Sequence, residues 1–178
     1  AAAGAGYILI TATTISNDAS ISFTSIDSTY DHYILELINV VPATDTAHLY
    51  IRTSNDGGSS YDSGGSDYQK QSLQSHDTTV TGTGETTDAL DLTGSVESGD
   101  DAGGVSGRIT IDDPANTATF TRLWGDLPWW YGGSSDDLYT NTFVACRAAA
   151  EAVNGISVYF STGNLSTGKV KLYGVVKS

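Results

Sequence analysis

The sequence predicts an all-β protein, a jelly-roll-like two-sheet β-sandwich of about ten strands, and three observations predict it. Apolar and polar residues alternate with period two in run after run, which is the mark of a half-buried strand. The acids are skewed, 17 Asp against 4 Glu, and Asp closes turns whereas Glu favours helix interiors. Finally, 20 Gly, 21 Ser and 23 Thr stand beside only 3 Pro and no Met, a composition suited to short strands and many tight turns.

Taken in order, the small residues Ala1 to Gly6 read as a short flexible arm, and 7–178 as one domain. Ile21 and Phe23 share one face against Ser20, Ser22 and Thr24. Tyr33 to Val41 is nearly continuous apolar, so it reads as a central strand covered on both faces. Leu49 and Ile51 oppose His48, Tyr50 and Arg52, and Val105, Ile109 and Ile111 oppose Ser106, Arg108 and Thr110. Ile156, Val158 and Phe160 form a buried set, as do Val170, Leu172 and Val176 opposite Lys169, Lys171 and Tyr173. Gly-, Asn- and Asp-rich stretches separate these runs, at 16–20, 54–60, 62–67, 98–104, 112–116, 131–137 and 161–164. Two stretches resist the pattern. Val144 to Val153 is helical by propensity and strand by its flanks, and Leu73 to Glu85, rich in Thr and Gly, reads as a mobile surface loop.

Charge narrows the partners. Eight Lys and Arg against 21 acids give a net charge of −13, which repels phosphates and so argues against nucleic acid and anionic membranes. No apolar run approaches the roughly 18 residues of a membrane span. The single Cys146 cannot form an intrachain disulfide, so the fold relies on its core.

No catalytic constellation stands out. His32, His48 and His76 are the only histidines, none with a second at metal-ligand spacing, and His48 alternates onto the polar side of its strand as a solvated imidazole. The acid doublets Asp100–Asp101, Asp112–Asp113 and Asp136–Asp137 sit beside or close to Gly or Pro and read as turn chemistry, with Ca²⁺ at an Asp-rich loop as the only cofactor to consider. Ser54, Asp56, Gly58, Ser60 and Tyr61 fit the Asp-box pattern S-x-D-x-G-x-[ST]-aromatic, a hairpin whose Asp closes the turn on backbone amides while the aromatic packs beneath. Such a turn is a folding device and does not by itself specify an enzyme. The most unusual feature is Leu127 to Gly133, where Trp129, Trp130 and Tyr131 follow a proline. Three consecutive aromatics on a strand cannot all face inward, so they are candidates for a subunit contact, a loop plug or a sugar-stacking platform. Lys169, Lys171 and Lys177 gather near the C-terminus as a candidate basic face.

Two stretches, 30–68 and 152–176, resemble a family of tailed-bacteriophage virion proteins and fibre-associated β domains. The pattern runs from a Y-x-x-Y strand (Tyr30, Tyr33) through P-A-T-D (Pro42, Asp45) to L-Y-x-R-x-S-x-D-G-G (Leu49, Arg52, Asp56, Gly57, Gly58). It closes with S-G-N-x-x-x-G-x-x-x-L-Y-G, matched by Gly163, Asn164, Gly168, Leu172, Tyr173 and Gly174, with Thr162 in place of the Ser. The opening Gly6 to Ile10 also fits, while about 70–150 matches only loosely. The resemblance implies a non-enzymatic structural protein of the virion, made in the host cytoplasm. Its role would be capsid decoration, head-fibre or tail association, docking on coat, portal or tail subunits as a homo-oligomer, a trimer above others. It carries no catalytic residues. The alternative it leaves open is a tail-fibre module binding host glycan through Trp129, Trp130 and Tyr131.

Overall fold

A computed structural model describes residues 6–99, 103–133 and 137–176. Among these there are twelve strands and no helix. They are β1 (Tyr7–Asp18), β2 (Ile21–Phe23), β3 (His32–Pro42), β4 (Leu49–Ser54), β5 (Tyr68–His76), β6 (Thr79–Thr87) and β7 (Leu90–Asp91), then β8 (Val105–Asp112), β9 (Arg122–Trp130), β10 (Leu138–Arg147), β11 (Gly155–Phe160) and β12 (Leu165–Val175).

Two antiparallel sheets face each other. The long one has eight strands in the order β1-β12-β3-β8-β9-β10-β5-β6, and the short one has four, β2-β11-β4-β7. The core lies between them and is built by the alternation read from the sequence. Tyr33, Leu35 and Leu37 of β3, Ile109 and Ile111 of β8 and Leu172 of β12 come from the long sheet; Leu49, Ile51, Ile156 and Val158 come from the short one. Each fully buried side chain of this size contributes roughly 1.5–3 kcal/mol, so the double row of inward residues dominates the stability.

Four expectations change. Gly6 is not free arm, because its carbonyl accepts from Val176 N at 3.1 Å and lengthens the β1–β12 pairing; residues 1–5 lie outside the described range. Leu73 to Glu85 is not a loop but most of the β5–β6 hairpin, paired from Tyr68–Thr87 to His76–Thr79. Val144 to Arg147 continues β10, since alternate burial of Phe143, Ala145 and Arg147 outweighs alanine's helix propensity. β3 is central, between β12 and β8, but only one of its faces is buried; Ile34, Glu36 and Ile38 stay half-exposed on the other.

An eight-stranded sheet is wider than its four-stranded partner, so part of its inner face needs another cover. Next to β9 the chain between β7 and β8 supplies it: Trp129 Nε1 donates to Ser95 O at 3.2 Å, and Val96 bridges Ala47 and Tyr131. Farther out, at β6, no residue is buried on either face, and only Thr87 is even half-covered.

Candidate functional site

The outer face of the long sheet collects the side chains that the core rejects. On β9 the alternation puts Leu123, Leu127 and Trp129 inside, and Arg122, Trp124, Asp126 and Pro128 outside. Register then aligns outward residues into rows that cross the sheet. One row runs Leu9, Tyr173, Ile34, Thr110, Trp124, Val144, Gln71, Gly84 and spans all eight strands. It is largely apolar, and Trp124 and Val144 are each about half exposed, at 48% and 49%.

The next row is a charge ladder of alternating sign, Lys171, Glu36, Arg108, Asp126, continued by Thr142 and Leu73. Glu36 accepts from Arg108 Nη2 at 3.0 Å, Lys171 Nζ at 3.2 Å and the Tyr173 hydroxyl at 3.1 Å. Burial opposes its charge, yet these three donors prevail and hold the carboxyl below its ordinary range. On the far side, Asp112 binds His32 Nδ1 at 3.1 Å and accepts from Trp124 Nε1 at 3.1 Å, which fixes the exposed indole against the sheet. Several recesses open on this face. One of about 630 Å³ lies between Phe120, Arg122, Val144, Cys146, Gln69 and Gln71. Another of about 450 Å³ runs beside Trp124 along Arg108, Thr110 and Asp126.

The predicted residues do not all gather here. Trp129, only 1% exposed, is core; Trp130 is half-buried on the outer side; Tyr131, also half-buried, is bridged to Val96 and stacks on Tyr139. The three therefore form no common platform, because strand alternation sends neighbours to opposite faces. Lys171 is engaged by Glu36 and Lys169 is exposed, while Lys177 lies outside the described residues.

The Asp-box residues do converge. Ser60 donates to Asp56 through both its amide (2.9 Å) and its hydroxyl (2.7 Å), and Ser54 Oγ donates to Asp56 and accepts from Gly58 N. The Ser60 amide foremost, then the two serine hydroxyls, pull the Asp56 carboxyl down to about 2. Gly58, at φ +84°, has no room for a Cβ, which would stand 2.6 Å from Thr24 Cγ2 and 3.1 Å from the Tyr61 hydroxyl. The loop closes with Asp62 N on Thr53 O, but β5 follows in the other sheet, so this is a crossing turn and not a hairpin between paired neighbours. Of the acid doublets, Asp112 is the partner of His32 and Trp124, and Asp113 binds Asn116 Nδ2 at 2.7 Å. Asp100, Asp101 and Asp136 lie outside the described residues.

Sequence reasoning missed two clusters. On the short sheet's outer face, His48 is no free imidazole, because its Nδ1 lies 2.8 Å from Asp91 Oδ2. That hydrogen bond, above all, raises its pKa despite partial burial. Beside it Arg52 binds Asp88 at 2.6 Å and lies over the Tyr159 ring. The second cluster is a stack at the rim of the long sheet. The His76 ring lies 4.3 Å from that of Tyr139 at 16°, and Tyr139 lies 4.8 Å from Tyr131 at 23°. One ligand atom each from His76, Asp77 and Asp137 falls within 4.8 Å of the others, so these three could hold a metal ion. The residues come from two places in the chain, the tip of the β5–β6 hairpin and the start of β10, and of the two only the 131–137 turn stretch carried a signal in the sequence.

Compared with models of protein families, with curated proteins and with solved structures, the chain matches none.

Proposed function

We propose that this chain is a non-enzymatic structural protein of a bacteriophage particle, of the capsid-decoration, head-fibre or tail-associated kind, and that it docks through the outer face of its long sheet onto neighbouring virion subunits. The observation that carries this reading is the apolar row through Leu9, Tyr173, Ile34, Trp124 and Val144, flanked on one side by a ladder of mutually neutralised charges. On a chain of net charge −13, this broad strip combines exposed apolar area with local neutrality, the composition that a protein partner covers. The motifs in 30–68 and 152–176 that resemble phage virion proteins support the same reading. Their β3, β4, β11 and β12 strands form the sandwich centre on which the outer face is displayed.

Quantitative mass spectrometry of purified particles tests the proposal. The chain should be present in fixed ratio to the coat subunit, and Val144→Glu should lower its occupancy and the heat resistance of the particles. Absence from particles, or unchanged incorporation of Val144→Glu together with Trp124→Ala, overturns it.

A second reading, a host-glycan-binding module, is favoured by one observation. Trp124 offers a held, half-exposed indole beside a recess bordered by Arg108, Thr110 and Asp126, the mix of stacking face and hydrogen-bonding groups that sugars require. This moves the platform from Trp129–Tyr131 to Trp124. Calorimetric titration with host surface polysaccharide decides it: heat that vanishes in Trp124→Ala supports glycan binding, and no heat with the native chain removes it.

A further inference from the structure

We propose that His76, Asp77 and Asp137 bind one divalent cation of the zinc class, which clips the tip of the β5–β6 hairpin to the start of β10. A ring nitrogen of His76 and one carboxylate oxygen from each aspartate lie within 4.8 Å of one another. Donors around a tetrahedral ion at about 2.0–2.2 Å stand roughly 3.3–3.6 Å apart, so small side-chain rotations bring all three into contact.

The His76 ring also carries an unmet polar atom. His76 Nδ1 is buried and has no hydrogen-bond partner among the described residues. A buried imidazole nitrogen left unpaired is costly, and the ring is held in place by its stack on Tyr139 and, through it, on Tyr131. Two carboxylates also converge here in a chain of net charge −13. Among the described residues no hydrogen-bond donor pairs with either carboxylate, and a cation held between them and the ring offsets their charge. The donor set selects the ion: an imidazole with two carboxylates suits Zn²⁺ or a neighbouring transition metal, whereas Ca²⁺ and Mg²⁺ take oxygen ligands. Three protein ligands leave a coordination position for water or for a donor from a neighbouring molecule.

The other histidines serve as internal controls. The Nδ1 atoms of His32 and His48 are each already within hydrogen-bonding distance of a carboxylate, Asp112 and Asp91. Calorimetric titration of the EDTA-stripped full chain with Zn²⁺ tests the site. One saturable binding event is expected, weakened about tenfold or more in His76→Gln and in Asp137→Asn, retained in His48→Gln, and absent when Ca²⁺ replaces Zn²⁺. If either variant fails to fold by circular dichroism, Mn²⁺ broadening of the native chain's NMR spectrum decides, and it must centre on His76, Asp77 and Asp137. No Zn²⁺ binding, equal binding by all the variants, or broadening centred elsewhere overturns the proposal.

Discussion

Arg147, buried at the end of β10, grips Asp62 with two parallel hydrogen bonds, Nε to Oδ2 at 2.6 Å and Nη2 to Oδ1 at 3.1 Å. Asp62 in turn accepts from Thr53 Oγ1 and donates its amide to Thr53 O, so one guanidinium ties the long sheet to the crossing turn that follows β4. Glu151 takes a third bond at 3.0 Å. A paired, planar fork of this kind is costly to break from one side, because the partner is left charged and largely covered. Arg147→Leu is expected to lower stability by about 3 kcal/mol in urea denaturation. The double variant Arg147→Leu with Asp62→Leu should lose less than the sum of the single changes, since no charge is then stranded. Strict additivity would show that the pair does not hold the turn.

Asp56 has the opposite character, fully exposed yet held by the Ser60 amide and the Ser54 and Ser60 hydroxyls. Its carboxyl should titrate near 2 in a carbon-detected NMR series, against 3.8 for an unconstrained Asp. A folded value below the unfolded one means that the contribution is complete above about 3.8 and is lost as pH falls through about 2. Ser60→Ala removes the hydroxyl and should move the titration upward. A normal value in the native chain would contradict the turn geometry.

These two sites mark how far the sequence could be read. The Asp-box was legible because every member lies within eight residues, and local spacing fixes local geometry. The core strands were legible because Leu49 and Ile51, or Val170 and Leu172, have polar neighbours that set the period. β6 was not, because a strand that buries nothing carries no alternation, and TVTGTGETT reads as loop. β3 was over-read: Ile34 and Ile38 suggested a second covered face, yet they lie on the half-exposed outer side. In the aromatic run, alternation ruled out three inward rings but did not tell that Trp129 is the one in the core, and the shared platform offered for Trp129, Trp130 and Tyr131 does not form. The partner that stacks Tyr131, Tyr139, and its neighbour His76 are placed by the register of β10 against β9 and β5, which no local pattern encodes.

Trp124→Ala and Val144→Glu separate folding from docking. Both side chains are about half exposed on the outer face, so each change should shift stability by less than about 1 kcal/mol, read as an urea midpoint. The same two changes should lower incorporation into particles. A large loss of stability would instead place this row within the structural core.

His48 gives a pH signature. The hydrogen bond to Asp91, opposed by burial and by the charge of Lys70, raises its folded pKa above the ordinary 6.5. The contribution is therefore full below about pH 6.5 and fades as pH rises through the higher folded value. The side chain is 36% exposed, so screening limits it to under about 1 kcal/mol. The stability difference between native chain and His48→Gln should shrink between about pH 5 and about pH 9. A difference that grows with pH would mean that His48 is neutral in the folded protein.

β6 offers the most direct physical test of an unfinished surface. It is an edge strand with β5 on one side and nothing described on the other, and no residue in it is buried. In an antiparallel pair alternate residues point their amides away from the partner, so about half of its N–H groups face outward. An unprotected edge of this length is a template for another strand, and its one charge, Glu85, is already bound by Lys70 at 2.8 Å. Hydrogen exchange on the isolated chain should therefore find β6 amides among the fastest of the long sheet, well ahead of those in β3, which is paired on both sides. In the assembled particle the outward amides should slow markedly if β6 pairs with a neighbour. Protection in the isolated chain equal to that of β3 would mean that the edge is already covered, and the docking surface would then have to end at β5.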